Sequence, residues 1–316
     1  MSGTRDADMD RDPKNTAEEE RFYSNFRHAP MEEIRRLTQT TLDARAREKT
    51  NSLHAAMERR RERDLPITRV LKEKLGADSW PPVPALTKQL PSDKQRERLF
   101  KLGENAPKSR IIRLGSAHVL DVAPFDYKSV SFAVTGSGEA DQWSDSPPPA
   151  DNELRINANA GGGSSGTVTA LSYLGQFFYV PTPPCGNTNG TLTVTVPFSY
   201  WGDGGDSKRF SFASVSVSFG IDIMQFNQDH TFSASTGSSQ TIWSDTGWAF
   251  DQNNVSPAAD WNSATLIATM PVSSQFYYVC MAWAQVVLQS DGELANENAW
   301  GATDVTVAYI AFDLWP

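Results

Sequence analysis

Two tryptophans, each followed by Ser and Asp, carry the most suggestive chemistry in the chain: Trp143-Ser144-Asp145 and Trp243-Ser244-Asp245. An indole beside a carboxylate can hold a sugar ring, because the ring's C–H face stacks on the indole while its hydroxyls donate to the carboxylate. Trp201 and Trp248, with Trp261 and Trp300, extend the set of loop aromatics. The residues expected to touch a ligand are therefore Trp143, Asp145, Trp201, Trp243, Asp245 and Trp248. A purely structural role competes with this one, in which the indoles plug the end of a core and the aspartates cap turns.

Two acidic clusters, Asp203-Gly204-Gly205-Asp206 and Asp291-Gly292-Glu293, offer oxygen ligands of the kind calcium takes. Neither has the alternating-ligand spacing of a helix-loop-helix calcium site, and Asp-Gly is an ordinary turn dipeptide. No metal and no cofactor is expected. In the same region His118 and His230 lack a triad neighbourhood, and there is no Gly-x-Ser-x-Gly elbow, His-Glu-x-x-His pair or phosphate loop. These absences argue against an enzyme. A carboxylate-based glycoside hydrolase is the exception, since it needs only two suitably spaced acids.

The elements that must position these groups divide sharply by charge. Residues 1–110 hold 24 of the 29 Lys and Arg and 19 of the 38 Asp and Glu; residues 111–316 hold 5 basic and 19 acidic residues, a net charge of −14. Such a surface repels phosphate backbones, so nucleic acid is not an expected partner of the second part. No apolar run approaches 18 residues and no charged-then-apolar leader is visible, so neither a membrane span nor a secretory signal is expected; the sequence assigns no compartment, a virion or the cytoplasm being most compatible with it. Cys185 and Cys280 are too few for a disulfide scaffold and read as unreactive thiols.

The division near residue 110 predicts an α-helical N-terminal arm over 1–110, with a disordered start, followed by a β region over 111–316. Pro30, with Glu32 and Glu33 behind it, suits the first turn of a helix running to about Asp64. Its apolar stripe is thin, so it needs a partner surface. Leu65-Pro66 is expected to break that helix, a short one follows over 67–75, and 80–84 (Trp-Pro-Pro-Val-Pro) forms an extended spacer.

Beyond residue 111 the two-residue period dominates. Val215, Val217, Phe219, Ile221 and Ile223 alternate with small or polar residues, and Leu192, Val194, Val196 and Phe198 do the same. One face of each strand should enter a core and the other face water. Ten strands are expected, over 119–122, 129–135, 167–173, 176–180, 191–200, 210–223, 230–234, 264–270, 275–289 and 304–314, the last carrying a bulge near Tyr309. Three internal matches suggest a duplication with copies of roughly 111–220 and 214–316. Thr135-Gly136-Ser137 with Trp143 is matched by Thr236-Gly237-Ser238 with Trp243, 176–180 by 275–279, and Val215/Val217/Phe219 by Val305/Val307/Tyr309. The fold class is thus mainly β: a jelly-roll-like antiparallel sandwich with an internal repeat, preceded by the helical arm. The functional expectation is a non-enzymatic structural or assembly protein of the virion-shell, fibre or appendage type, self-associating through the arm. A glycan- or surface-binding module using the loop tryptophans is the second expectation.

Overall fold

A computed structural model describes residues 30–75, 118–121, 123, 125–141, 152–161, 165–179, 190–227, 229–255, 261–291 and 298–315. One long helix, α1 (Pro30–Leu75), is followed by β1 (His118–Asp121), β2 (Tyr127–Gly136), β3 (Gly138–Asp141), β4 (Glu153–Gly161), β5 (Gly166–Tyr179) and β6 (Gly190–Phe226). The chain continues through β7 (Phe232–Val255), β8 (Asn262–Val272), β9 (Tyr277–Ser290), β10 (Asn298–Val307) and β11 (Ile310–Trp315).

All strand pairs are antiparallel, and two sheets face each other as a β-sandwich. The first sheet runs β7, second half of β6, β9, β5, β2. The second runs β8, first half of β6, β10, β4, β3, with β11 also beside β6 and β1 beside β11. β6 therefore belongs to both. Its 37 residues would span roughly 120 Å if straight, so the strand must bend as it passes between sheets. Register shifts at Lys208/Arg209 and Arg209/Ser211 mark an irregularity in that passage.

Alternation puts Val215, Val217, Phe219, Ile221 and Ile223 at no more than 1% exposure; Phe219, Ile221 and Ile223 pack with Leu192, Val194, Val196, Phe198, Val305 and Val307, and Val215 and Val217 with Ile156, Ala158, Ala160 and Ala299. Phe198 and Phe219 meet with ring centroids 4.9 Å apart. The other face of the first sheet is not open to water. α1 lies on it, and Leu42 joins Leu171, Tyr173, Phe177, Met224, Phe226, Val279 and Met281 in a separate apolar cluster. Thr38, Leu42, Ala46 and Thr50, four residues apart, are all buried, which is the stripe a helix presents along one side. The partner surface that this thin stripe requires is the chain's own sheet.

Polar contacts complete the docking. Gln39 Oε1 accepts from Tyr127 Oη at 2.8 Å, Ser129 Oγ at 2.7 Å and Tyr173 Oη at 2.5 Å. Thr50 Oγ1 donates to Thr169 Oγ1 at 2.7 Å, and Gln289 Nε2 donates to the Leu53 carbonyl at 2.9 Å.

Several local expectations are corrected. α1 does not stop at Asp64 but runs through Pro66 to Leu75. Proline removes one helical hydrogen bond at a cost of about 3 kcal/mol. Pro66 is exposed, so the carbonyl it leaves unpaired can turn to water. The Asp203–Asp206 stretch, read as a turn, is continuous strand because β10 pairs with it: Asp203 lies opposite Ala302 and Gly205 opposite Trp300. The phase change near Tyr309 is a break between β10 and β11 rather than a bulge. The expected strands at 167–173 and 176–180 are one strand, β5. β3, β4 and most of β7 were not expected; their Asn, Ser and Gly content resembles turns.

The segments behind the candidate repeat occupy different neighbourhoods. β5 and β9 are adjacent, with Phe178 opposite Tyr278. Gly136 closes β2 at φ 77°, whereas Gly237 lies inside β7 opposite Asp222. Val217 pairs with β7 and β9, Val305 with β4 and the first half of β6.

Candidate functional site

Among the described residues, a pocket of about 130 Å³, open to solvent on one side, lies between α1 and the outer face of the first sheet. Its helix side is Leu42, Arg45, Ala46 and Lys49. The sheet side contributes Leu171 and Tyr173 from β5, Asp222 from β6, and Met281, Trp283 and Gln285 from β9. On β9 the odd positions face the helix while Cys280, Ala282 and Ala284 enter the main core, so Met281, Trp283 and Gln285 arrive together at two-residue spacing.

Two mid-strand glycines make room for the polar floor. A Cβ at Gly220 would stand 2.3 Å from Cζ2 of Trp283, and one at Gly237 would stand 2.1 Å from Oδ1 of Asp222. Each glycine is the cross-strand partner of the residue it accommodates. Glycine weakens a strand interior and is expected where another group approaches the backbone closely. Here the indole lies over one glycine and the carboxylate over the other.

Burial pushes the Asp222 carboxyl up to about 6; the Arg45 cation and the Trp283 indole oppose the rise without cancelling it. The indole Nε1–H is buried near that carboxylate but makes no hydrogen bond of good geometry. Lys49 donates to Gln285 Oε1 at 2.9 Å, and desolvation lowers its ammonium pKa. Arg45 is held at the rim by the Phe232 ring, 5.1 Å from the guanidinium carbon, and by Ser235 Oγ at 3.4 Å. Burial raises the Tyr173 phenol, whose hydroxyl is already bonded to Gln39, so it is a fixed wall and not a proton donor at neutral pH.

The residues singled out in the sequence do not meet here. Trp201 is 2% exposed and packs with Ala302 and Trp261. Trp243, on β7 opposite Val217, is half-buried and packs on the core; a Cβ at Gly204 would be 3.0 Å from its ring. Asp245 is half-buried opposite Val215, and Trp248 stands in β7 opposite Phe212. Trp143 and Asp145 lie outside the described residues, as does Cys185; Cys280 is a buried free thiol whose pKa burial raises. Asp203 and Asp206 are buried, and Asp291 Oδ2 accepts from the Phe212 amide at 3.1 Å. Among the described residues no group of three His, Cys, Asp or Glu is placed to hold a metal, and no helix is long and apolar enough to cross a membrane.

Nothing local in the sequence announces the Trp283–Asp222 pair, and the alternation of β6 sends Asp222 to water. The available signal was Gly220, which interrupts the Ser-x-Ser-x-Gly-x-Asp face of β6 where a larger residue would otherwise stand.

No family model matches the chain, and no curated protein matches its sequence. Among solved structures, it is similar to carbohydrate-binding modules of the β-sandwich superfamily at 12% identity, covering 60% of this chain and 64% of that one, with a TM-score of 0.22. A tailspike protein of bacteriophage CBA120 matches at 12% identity over 58% of this chain and 19% of its own, TM-score 0.22. Infectious bursal disease virus matches at 12% identity over 58% and 41%, TM-score 0.14. The chain thus spans less than two thirds of the length of each of these structures.

Proposed function

We propose that the chain is a non-enzymatic structural protein whose acidic β-sandwich body associates with further copies of itself through its basic N-terminal part, as subunits of a shell, fibre or appendage do. The division into a helical part before residue 110 and a sandwich after it belongs to this proposal. The observation that carries it is the far end of α1. Arg59, Arg60, Glu62, Arg63, Pro66, Arg69, Val70, Glu73 and Lys74 are all exposed, Val70 by 49%. Five of these are basic and two acidic, against a body of net charge −14. Opposite charge steers such a segment toward a neighbouring body, and the steering weakens with salt.

The test is the solution mass of the full chain at micromolar concentration, by light scattering or sedimentation. An assembly in low salt that dissociates on raising salt, or in the combined variant Arg63→Glu, Arg69→Glu, Lys74→Glu, supports the proposal. A monomer in low salt overturns it.

A further inference from the structure

We propose that the cavity between α1 and the first sheet is a binding site for one hydroxylated sugar ring, taken as a free monosaccharide or as the end residue of a glycan. This is separate from the assembly reading and uses none of the loop tryptophans.

The lining carries both signs of charge, Asp222 against Arg45 and Lys49, and all three can hydrogen-bond the hydroxyls of a neutral ligand. The walls ask for a molecule that is apolar on one face and rich in hydroxyls at its edge. Leu42, Leu171, Met281 and the Trp283 ring present apolar surface, whereas Asp222, Gln285 and Lys49 supply an acceptor, an amide and a donor. Two features show that the floor is built. Gly220 and Gly237 leave the room that the indole and the carboxylate occupy, since any side chain there would collide with them. In addition, the Trp283 Nε1–H is buried beside Asp222, which fixes the indole with its ring, and not its N–H, available to a ligand.

The experiment is saturation-transfer NMR and tryptophan fluorescence titration of the full chain with glucose, galactose, mannose, N-acetylglucosamine and their methyl glycosides, with a glycan array as the second arm. At least one sugar is expected to saturate. Asp222→Asn and Trp283→Phe should each weaken its binding tenfold or more, with Trp243→Phe unchanged. Saturation by free sugars identifies a monosaccharide site, and array binding alone identifies a glycan end. Asp222→Asn is isosteric, so thermal melts of both variants establish that the fold is intact. The proposal is overturned if nothing on the panel or the array binds, or if binding survives in both folded variants.

Discussion

The Trp283 indole lies across Gly220, its cross-strand partner, so closely that a Cβ at 220 would fall 2.3 Å from Cζ2 and 2.7 Å from the Ser238 carbonyl. Gly220→Ala should therefore displace the indole and strain the backbone together. Overpacking of this kind destabilises by roughly 1–3 kcal/mol. Urea unfolding should report that loss, with a shift in tryptophan emission; a variant as stable as the parent would mean that the ring moves aside freely.

Asp222 gives the molecule a pH dependence of definite sign. Its carboxyl is raised from 3.8 to about 6 in the folded chain, so the folded state binds the proton more tightly than the unfolded state does. The contribution to stability is accordingly lost as pH rises from about 4 through 6 and is absent above. Asp222→Asn should be more stable than the parent at pH 8 by about 1–2 kcal/mol, the difference shrinking toward pH 4. Denaturant midpoints across that range measure it, and a constant difference would refute the assignment to this group.

Gln39 ties the helix to β2 and β5 by accepting three hydroxyl hydrogen bonds on one oxygen. Gln39→Ala removes the shared acceptor from a partly buried interface, which should cost about 1–3 kcal/mol. Amide exchange in residues 38–50 is expected to accelerate while that of β6 and β9 changes less. Equal acceleration everywhere would show that helix and sandwich open together.

On the second sheet Arg155 bridges Glu153 at 2.8 Å and Asp304 at 3.0 Å, all three side chains being at most 3% exposed. Arg155→Met leaves two buried carboxylates without that cation, a change that typically costs about 3–5 kcal/mol. Replacing Glu153 by Gln and Asp304 by Asn in the same chain should restore part of the loss. Thermal melts of the single and triple variants test this, and a single variant at parental stability would contradict it.

Legibility in the sequence followed where a single periodicity decided the structure. Val215 to Ile223 and Leu192 to Phe198 point inward as their alternation requires, because nothing competes with burial on that face. On the opposite face the alternation sends Asp222 to water, whereas it lines the pocket beneath a helix whose Leu42, Arg45, Ala46 and Lys49 are more than 150 residues away in sequence, and alternation says nothing about what lands on a face. Pro66 and Asp203–Asp206 misled for a related reason. Local propensity favours a break in each place, but pairing with β10 holds the second in strand. β7, built of Ser, Thr and Gly, is specified by its long register against β6 and not by its own composition. The cavity floor was hidden because Trp283 and Asp222 are 61 positions apart, brought together only by the β6–β9 pairing.

One strand common to both sheets also governs how the body can come apart. Had β6 ended near residue 206, each sheet could have opened about a loop while the other stayed closed. Because β6 is one strand from Gly190 to Phe226, paired in both sheets with only local register shifts such as those at 208–211, tension or fraying in one layer is passed to the other. The sandwich should therefore unfold cooperatively, as a single mechanical unit, and withstand pulling on its ends until β6 itself yields.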